Sequence, residues 1–273
     1  MNILITLAVA AGGMAVLWAF QSVMLALAGR PQTWPLQFEA DRPLLKATSR
    51  IIVHSEWLII LIGTPLALGI RPLDALAQAF RLPVPWRAMG VAFLVVFVPI
   101  CLVYAAYLAL GWAKWAPQHD AARRHAKLFR RFLPGPIPLA TFEEGVFRGL
   151  ILEQLLRSLP QTALFAGLAV VASSAVFASI HFIKPPKGKP IRLFAWGYFI
   201  VGCLFGFAYL KGGRTLWLPI VVHATCVFCI EVARLYVVFQ KPRWLMGHIE
   251  SPQSGVVGSA LVLAMAVALA ALV

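Results

Sequence analysis

The sequence predicts an all-α, polytopic membrane bundle of about eight transmembrane helices, on three observations. Of its residues 61% are hydrophobic, only 12% are charged, and mean hydropathy is +0.83. A soluble domain of this length does not carry that composition. Apolar runs near the roughly 20 residues that cross a bilayer recur along the chain, separated by short polar or basic segments. Residues 1–273 are therefore expected to form a single membrane-embedded domain. The net charge of +14 has the size of a nucleic-acid signature. Membrane proteins, however, concentrate Lys and Arg in loops facing anionic lipid, and no nucleic-acid module is recognisable. Cys101, Cys203, Cys226 and Cys229 all lie inside apolar runs, where cysteine serves as a small hydrophobe, so no disulfide framework is implied.

The elements follow in order. Residues 2 to 29 carry no charge and predict a first span. Ala26-Leu27-Ala28 has the small-residue pattern of a cleavage site, but no basic residue precedes the run, so the helix is read as retained. A polar, proline-bearing loop from Arg30 to Arg50 leads to a second span at about 51–70, with His54 and Glu56 read as interfacial residues. A third follows at about 88–113. The segment His119 to Phe132 interleaves Leu128, Phe129 and Phe132 with Arg123, Arg124, Lys127, Arg130 and Arg131. It predicts an amphipathic helix in a charged loop at the membrane surface, stopped by Pro134, Pro136 and Pro138. The fourth span holds Glu143-Glu144-Gly145-Val146-Phe147-Arg148-Gly149. The fifth, about 161–182, ends at His181 before a basic turn, Lys184 to Arg192. The sixth covers about 193–210, the seventh about 215–233 with His223 near its middle, and the eighth 256–273.

The charges of the fourth span need an explanation, because an ionised side chain at the centre of a transmembrane helix costs roughly 2.5–3.5 kcal/mol. Helical spacing lets Glu144 pair with Arg148 and leaves Glu143 free. It also puts Gly145 and Gly149 on one small-residue stripe suited to a close helix neighbour. The bland reading is a buried ion-pair cluster that fixes helix register. The chemical reading is a site at which Glu143 presents a carboxylate. Most of the 24 Lys and Arg residues fall in the loops after odd-numbered spans, which puts those loops in the cytoplasm and both termini outside. Glu143, His181 and His223 then all belong to the cytoplasmic half.

The same residues resemble the CPBP group of intramembrane proteases, which includes type II CAAX prenyl endopeptidases and Abi-like proteins. Glu143 to Gly149 is similar to its EExxxR motif, Phe177 to His181 to its FxxxH motif, and Gly202 to His223 to the block leading into its last histidine. The resemblance covers roughly 139–230, and the catalytic core is expected at 139–233. It implies an intramembrane endopeptidase cutting near the C-terminal tail or leader of a membrane-associated protein, with the bilayer and a protein or peptide substrate as partners, in a bacterial inner membrane. By the same resemblance Glu143 takes a proton from water, His181 helps hold that water, Glu144 and Arg148 brace the site, and His223 stabilises the oxyanion. No cofactor is expected. The competing reading gives Zn²⁺ to Glu143, His181 and His223, although HExxH is absent. A second metal reading, His223-x-x-Cys226-x-x-Cys229, spreads its side chains too widely around one helix. One departure stands out: the family commonly has Asn or Asp where this chain has Val227. That substitution supports an alternative, a catalytically weak or inactive protease-like binding or immunity protein. A transporter ranks last, because the charges cluster near one face and no paired broken helices are evident. Substrate identity and oligomeric state are not set by the sequence.

Overall fold

The computed structural model describes residues 2–29, 43–130, 135–183 and 191–273. The Arg30–Arg50 loop in large part, residues 131–134 and most of the basic turn lie outside the described residues, as does the side chain of His54. The expected all-α membrane bundle is what the chain forms. Its helices are α1 (Asn2–Leu27), α2 (Pro43–Ala67), α3 (Pro72–Ala79), α4 (Trp86–Ala109), α5 (Ala121–Arg130), α6 (Pro136–Glu144), α7 (Glu153–Ser158), α8 (Ala163–Ile183), α9 (Ile191–Lys211), α10 (Trp217–Tyr236), α11 (Arg243–Met246) and α12 (Val256–Leu272).

Among the described residues, α1, α4, α8, α9 and α10 are each long and apolar enough to cross a membrane. The other three expected spans are built differently. The second ends where the chain turns through 108° into α3, at Gly69, whose φ of +71° is one that glycine adopts without a Cβ clash. The eighth, α12, has 17 residues. The fourth is a composite: α6 passes directly into a π-helical segment, Gly145–Leu152, and then into α7. The N–H of Glu153 reaches back to the carbonyl of Arg148, five residues away. Such wide turns are rare and recur at functional sites.

Packing around this composite span is set by small residues. A Cβ on Gly206 would come within 2.9 Å of Val170 Cγ1, and one on Gly202 within 3.1 Å of the Ser174 Cβ, so α9 and α8 approach with almost no side chain between them. The stripe expected of Gly145 and Gly149 is real but faces two neighbours, Leu61 of α2 and Leu216 ahead of α10. The wider π turn does not keep the α-helical stacking on which the single-partner expectation rested.

At one end, α10 runs into β2 (Val237–Phe239), which pairs antiparallel with β1 (Ala113–Trp115). Residues 240–255 then fold back against α9 and α12, with Ser251 and Ser254 buried. The expected surface helix is present as α5, its Phe129 exposed and its His125 within 3.0 Å of the Tyr236 hydroxyl.

Candidate active site

The site is assembled from α6, the π segment, α8, α9 and α10. Glu144 and Arg148 are completely buried, and His223 is 5% exposed. The predicted Glu144–Arg148 pair is present: Arg148 Nη1 donates to Glu144 Oε1 at 3.2 Å. Arg148 Nε and Glu144 Oε2 approach to 3.1 Å as an ion pair without hydrogen-bond alignment. Arg148 Nη2 donates to the carbonyl of Gly202 at 2.7 Å, a position that the absence of a side chain leaves open. Around the guanidinium stand Phe177, Phe205 and Phe147, with ring centroids 5.0, 5.3 and 5.9 Å from its central carbon. The buried charge is thus met by a carboxylate, a carbonyl and three π faces.

His223 joins the two carboxylates. Its Nδ1 is 2.7 Å from Glu144 Oε1, and its Nε2 is 3.6 Å from Glu143 Oε2. Glu144, already bound by Arg148, acts as acceptor for the Nδ1 proton, which turns Nε2 toward Glu143. Phe205 stacks on the ring at 4.4 Å and fixes its plane. His181 is held by the interactions of a different set of groups. Its Nδ1 lies 2.8 Å from the Phe177 carbonyl four residues back, and Tyr198 stacks on its ring at 3.8 Å. Tyr198 and Phe205, the two platforms, are seven residues apart on α9, or roughly 10 Å of helix rise. No hydrogen bond or ion pair links His181 to Glu143 among the described residues.

Glu143, His181 and His223 nevertheless line one cavity of about 260 Å³, and Val227 lies on its wall. The wall also carries residues that motif reading did not find: Tyr104 and Tyr107 of α4, Tyr198 of α9, Glu231 of α10, and Glu250 and Gln253 of the returning loop. The aromatic richness of the sixth span was the only sequence signal for any of them. Thr225, two residues before Val227, gives its hydroxyl to the Val221 carbonyl at 2.7 Å. Cys226 does reach the cavity wall.

Among the described residues, no three His, Cys, Asp or Glu side chains gather as a metal-binding set. Of the donors named for zinc, His223 has its Nδ1 side taken by Glu144 and its Nε2 side turned toward Glu143.

A family model described as type II CAAX prenyl endopeptidase Rce1-like matches residues 126–229. Over that stretch the chain is similar to the CAAX protease family. The matched residues run from α5 to α10 and include every motif residue named above. The protein is accordingly a membrane-embedded peptide hydrolase of the CAAX type. No curated protein and no solved structure matches the chain.

Proposed function

We propose that this CAAX-type protease hydrolyses a peptide bond near the C-terminal tail or leader of a membrane-associated protein, using water activated by Glu143. The observation that carries the reading is the 3.6 Å approach of Glu143 to the Nε2 of His223 on the wall of a mostly apolar cavity. General-base catalysis by a positioned carboxylate contributes about 10²- to 10⁴-fold.

In this reading water enters beside Glu143 and gives it a proton as the hydroxide attacks the carbonyl carbon. His181, whose Nδ1–H is spent on the Phe177 carbonyl, keeps Nε2 as an acceptor for the second hydrogen of that water. His223, held by Glu144 through Nδ1, turns its Nε2 side toward the place where the oxyanion forms. Glu144 and Arg148 act behind it as positioning residues. Protonated Glu143 then passes its proton to the departing amine, so one water is consumed and one acid and one amine leave. No step uses a metal.

Residues 139–233 form the catalytic core of a single domain in this reading. In this reading the protein sits in a bacterial inner membrane, and the Lys and Arg bias supports an orientation with both termini outside and the cavity toward the cytoplasm. A second reading, a membrane binder that holds hydrophobic tails without cutting them, is favoured by Val227 on the cavity wall. The separating experiment incubates the purified protein with tail peptides, with and without a prenyl group, and reads products by mass spectrometry before and after chelator dialysis. The proposal expects a defined new terminus whose yield survives chelation. Binding without product favours the binder, and loss of product on chelation with recovery on Zn²⁺ favours the metal reading.

A further inference from the structure

A second cavity, of about 240 Å³, lies against the back of the π segment. Gly145 and Gly149 lie on its floor, and its walls are apolar residues of α2 and α3, among them Leu61 and Leu76. The 108° bend between α2 and α3 splays α3 across the opening. This cavity shares no lining residue with the one that holds Glu143.

The polar end of the cavity carries an excess of positive charge. Glu153 accepts from Arg157 at 2.8 Å and from Arg214 at 2.6 and 2.9 Å, and Tyr209 donates to it at 3.0 Å. One carboxylate thus answers two guanidiniums. Arg81 adds a third at the same rim and lies within electrostatic reach of the Tyr209 hydroxyl. The Arg81 guanidinium has no hydrogen-bond or ion-pair partner among the described residues. Its carbonyl, by contrast, accepts from the Trp217 indole at 3.1 Å, which anchors the backbone whatever the side chain. The helix ends that meet here, after α2, at α7 and between α9 and α10, put the rim at the level of a lipid headgroup.

We propose that this cavity is a site for an anionic phospholipid, its phosphodiester held by Arg81 with Arg157 and Arg214 and one acyl chain lying on the glycine floor. Arginine suits this ligand because its planar fork matches phosphate oxygens in pairs. The apolar depth below the rim distinguishes a lipid from a free phosphate. The chain would rest on the helix whose other face carries Glu144 and Arg148. The inference stands independently of the peptidase reading.

Native mass spectrometry of the purified protein tests it, with phosphatidylglycerol and phosphatidylethanolamine of matched chains as probes. Wild type is expected to retain the anionic lipid about tenfold better, the scale of one charge-assisted contact. Arg81→Gln is expected to remove that preference while leaving retention of the zwitterionic lipid unchanged. Ala75→Phe, which narrows the cavity from α3, is expected to weaken both. Equal retention by wild type overturns the proposal, as does a preference that survives Arg81→Gln. Competition by glycerol phosphate alone as strong as by the whole lipid overturns the lipid assignment. Unchanged folding of each variant is checked by its thermal melt.

Discussion

His223 stands between two carboxylates that do different things, and the residue scale turns on that difference. In the proposed mechanism Glu144, paired with Arg148, aims the imidazole, while among the described residues Glu143 faces the Nε2 side of the ring and the cavity. Arg148→Ala leaves Glu144 buried without its cation, a change that typically costs about 3–5 kcal/mol. A marked drop in melting temperature is expected, together with lost activity. The two histidines are also separable. His223→Ala is expected to lower kcat more than His181→Ala, because of the two histidines only His223 contacts the carboxylate pair; equal losses would make holding the water as important as stabilising the oxyanion. The Glu144–Arg148 pair was legible from four-residue spacing alone. The partner of Glu143 was not, since which histidine it meets depends on how α9 and α10 pack, and the stacking of Phe205 and Tyr198 on the two rings decides that.

At the scale of the element, most spans were legible because lipid demands long apolar runs: the expected bounds of the first, third and fifth to eighth agree with the helices to within about four residues, whereas α2 starts at Pro43, eight residues before the expected 51. The composite fourth span was hidden. Its sequence has no proline between Pro138 and Pro160, and nothing in a periodic pattern distinguishes a π turn from an α turn when both faces are buried. The β1–β2 pair and the returning loop were hidden for a similar reason: three-residue strands leave no pattern to read. Glycines make these elements testable. A Cβ on Gly145 meets only the end of the flexible Leu61 side chain, at 3.0 Å, so Gly145→Ala is expected to be tolerated. A Cβ on Gly258 would overlap the backbone carbonyl of Pro252. Gly258→Ala is therefore expected to push the loop off α12, disturb the cavity wall at Pro252 and Gln253, and reduce peptide binding. The check is KM for a cleaved peptide, with the melt recorded alongside.

For the whole molecule the claim is about sidedness as well as chemistry. In the orientation proposed from the charge bias, α5 lies in the cytoplasm and the α3 surface outside. A cysteine at Leu73, which is 77% exposed, is expected to react with a membrane-impermeant maleimide in intact cells, whereas one at Arg123 is expected to react only after permeabilisation. The reverse result would invert the topology and put the cavity at the other face. Below that question lies the central claim, that the carboxylate of Glu143 deprotonates the attacking water. The most direct measurement is single-turnover cleavage of one tail peptide by wild type and by Glu143→Gln at equal, saturating enzyme. The account predicts a rate lower by about 10²- to 10⁴-fold in the variant with peptide binding retained. Equal rates in the two proteins would contradict it.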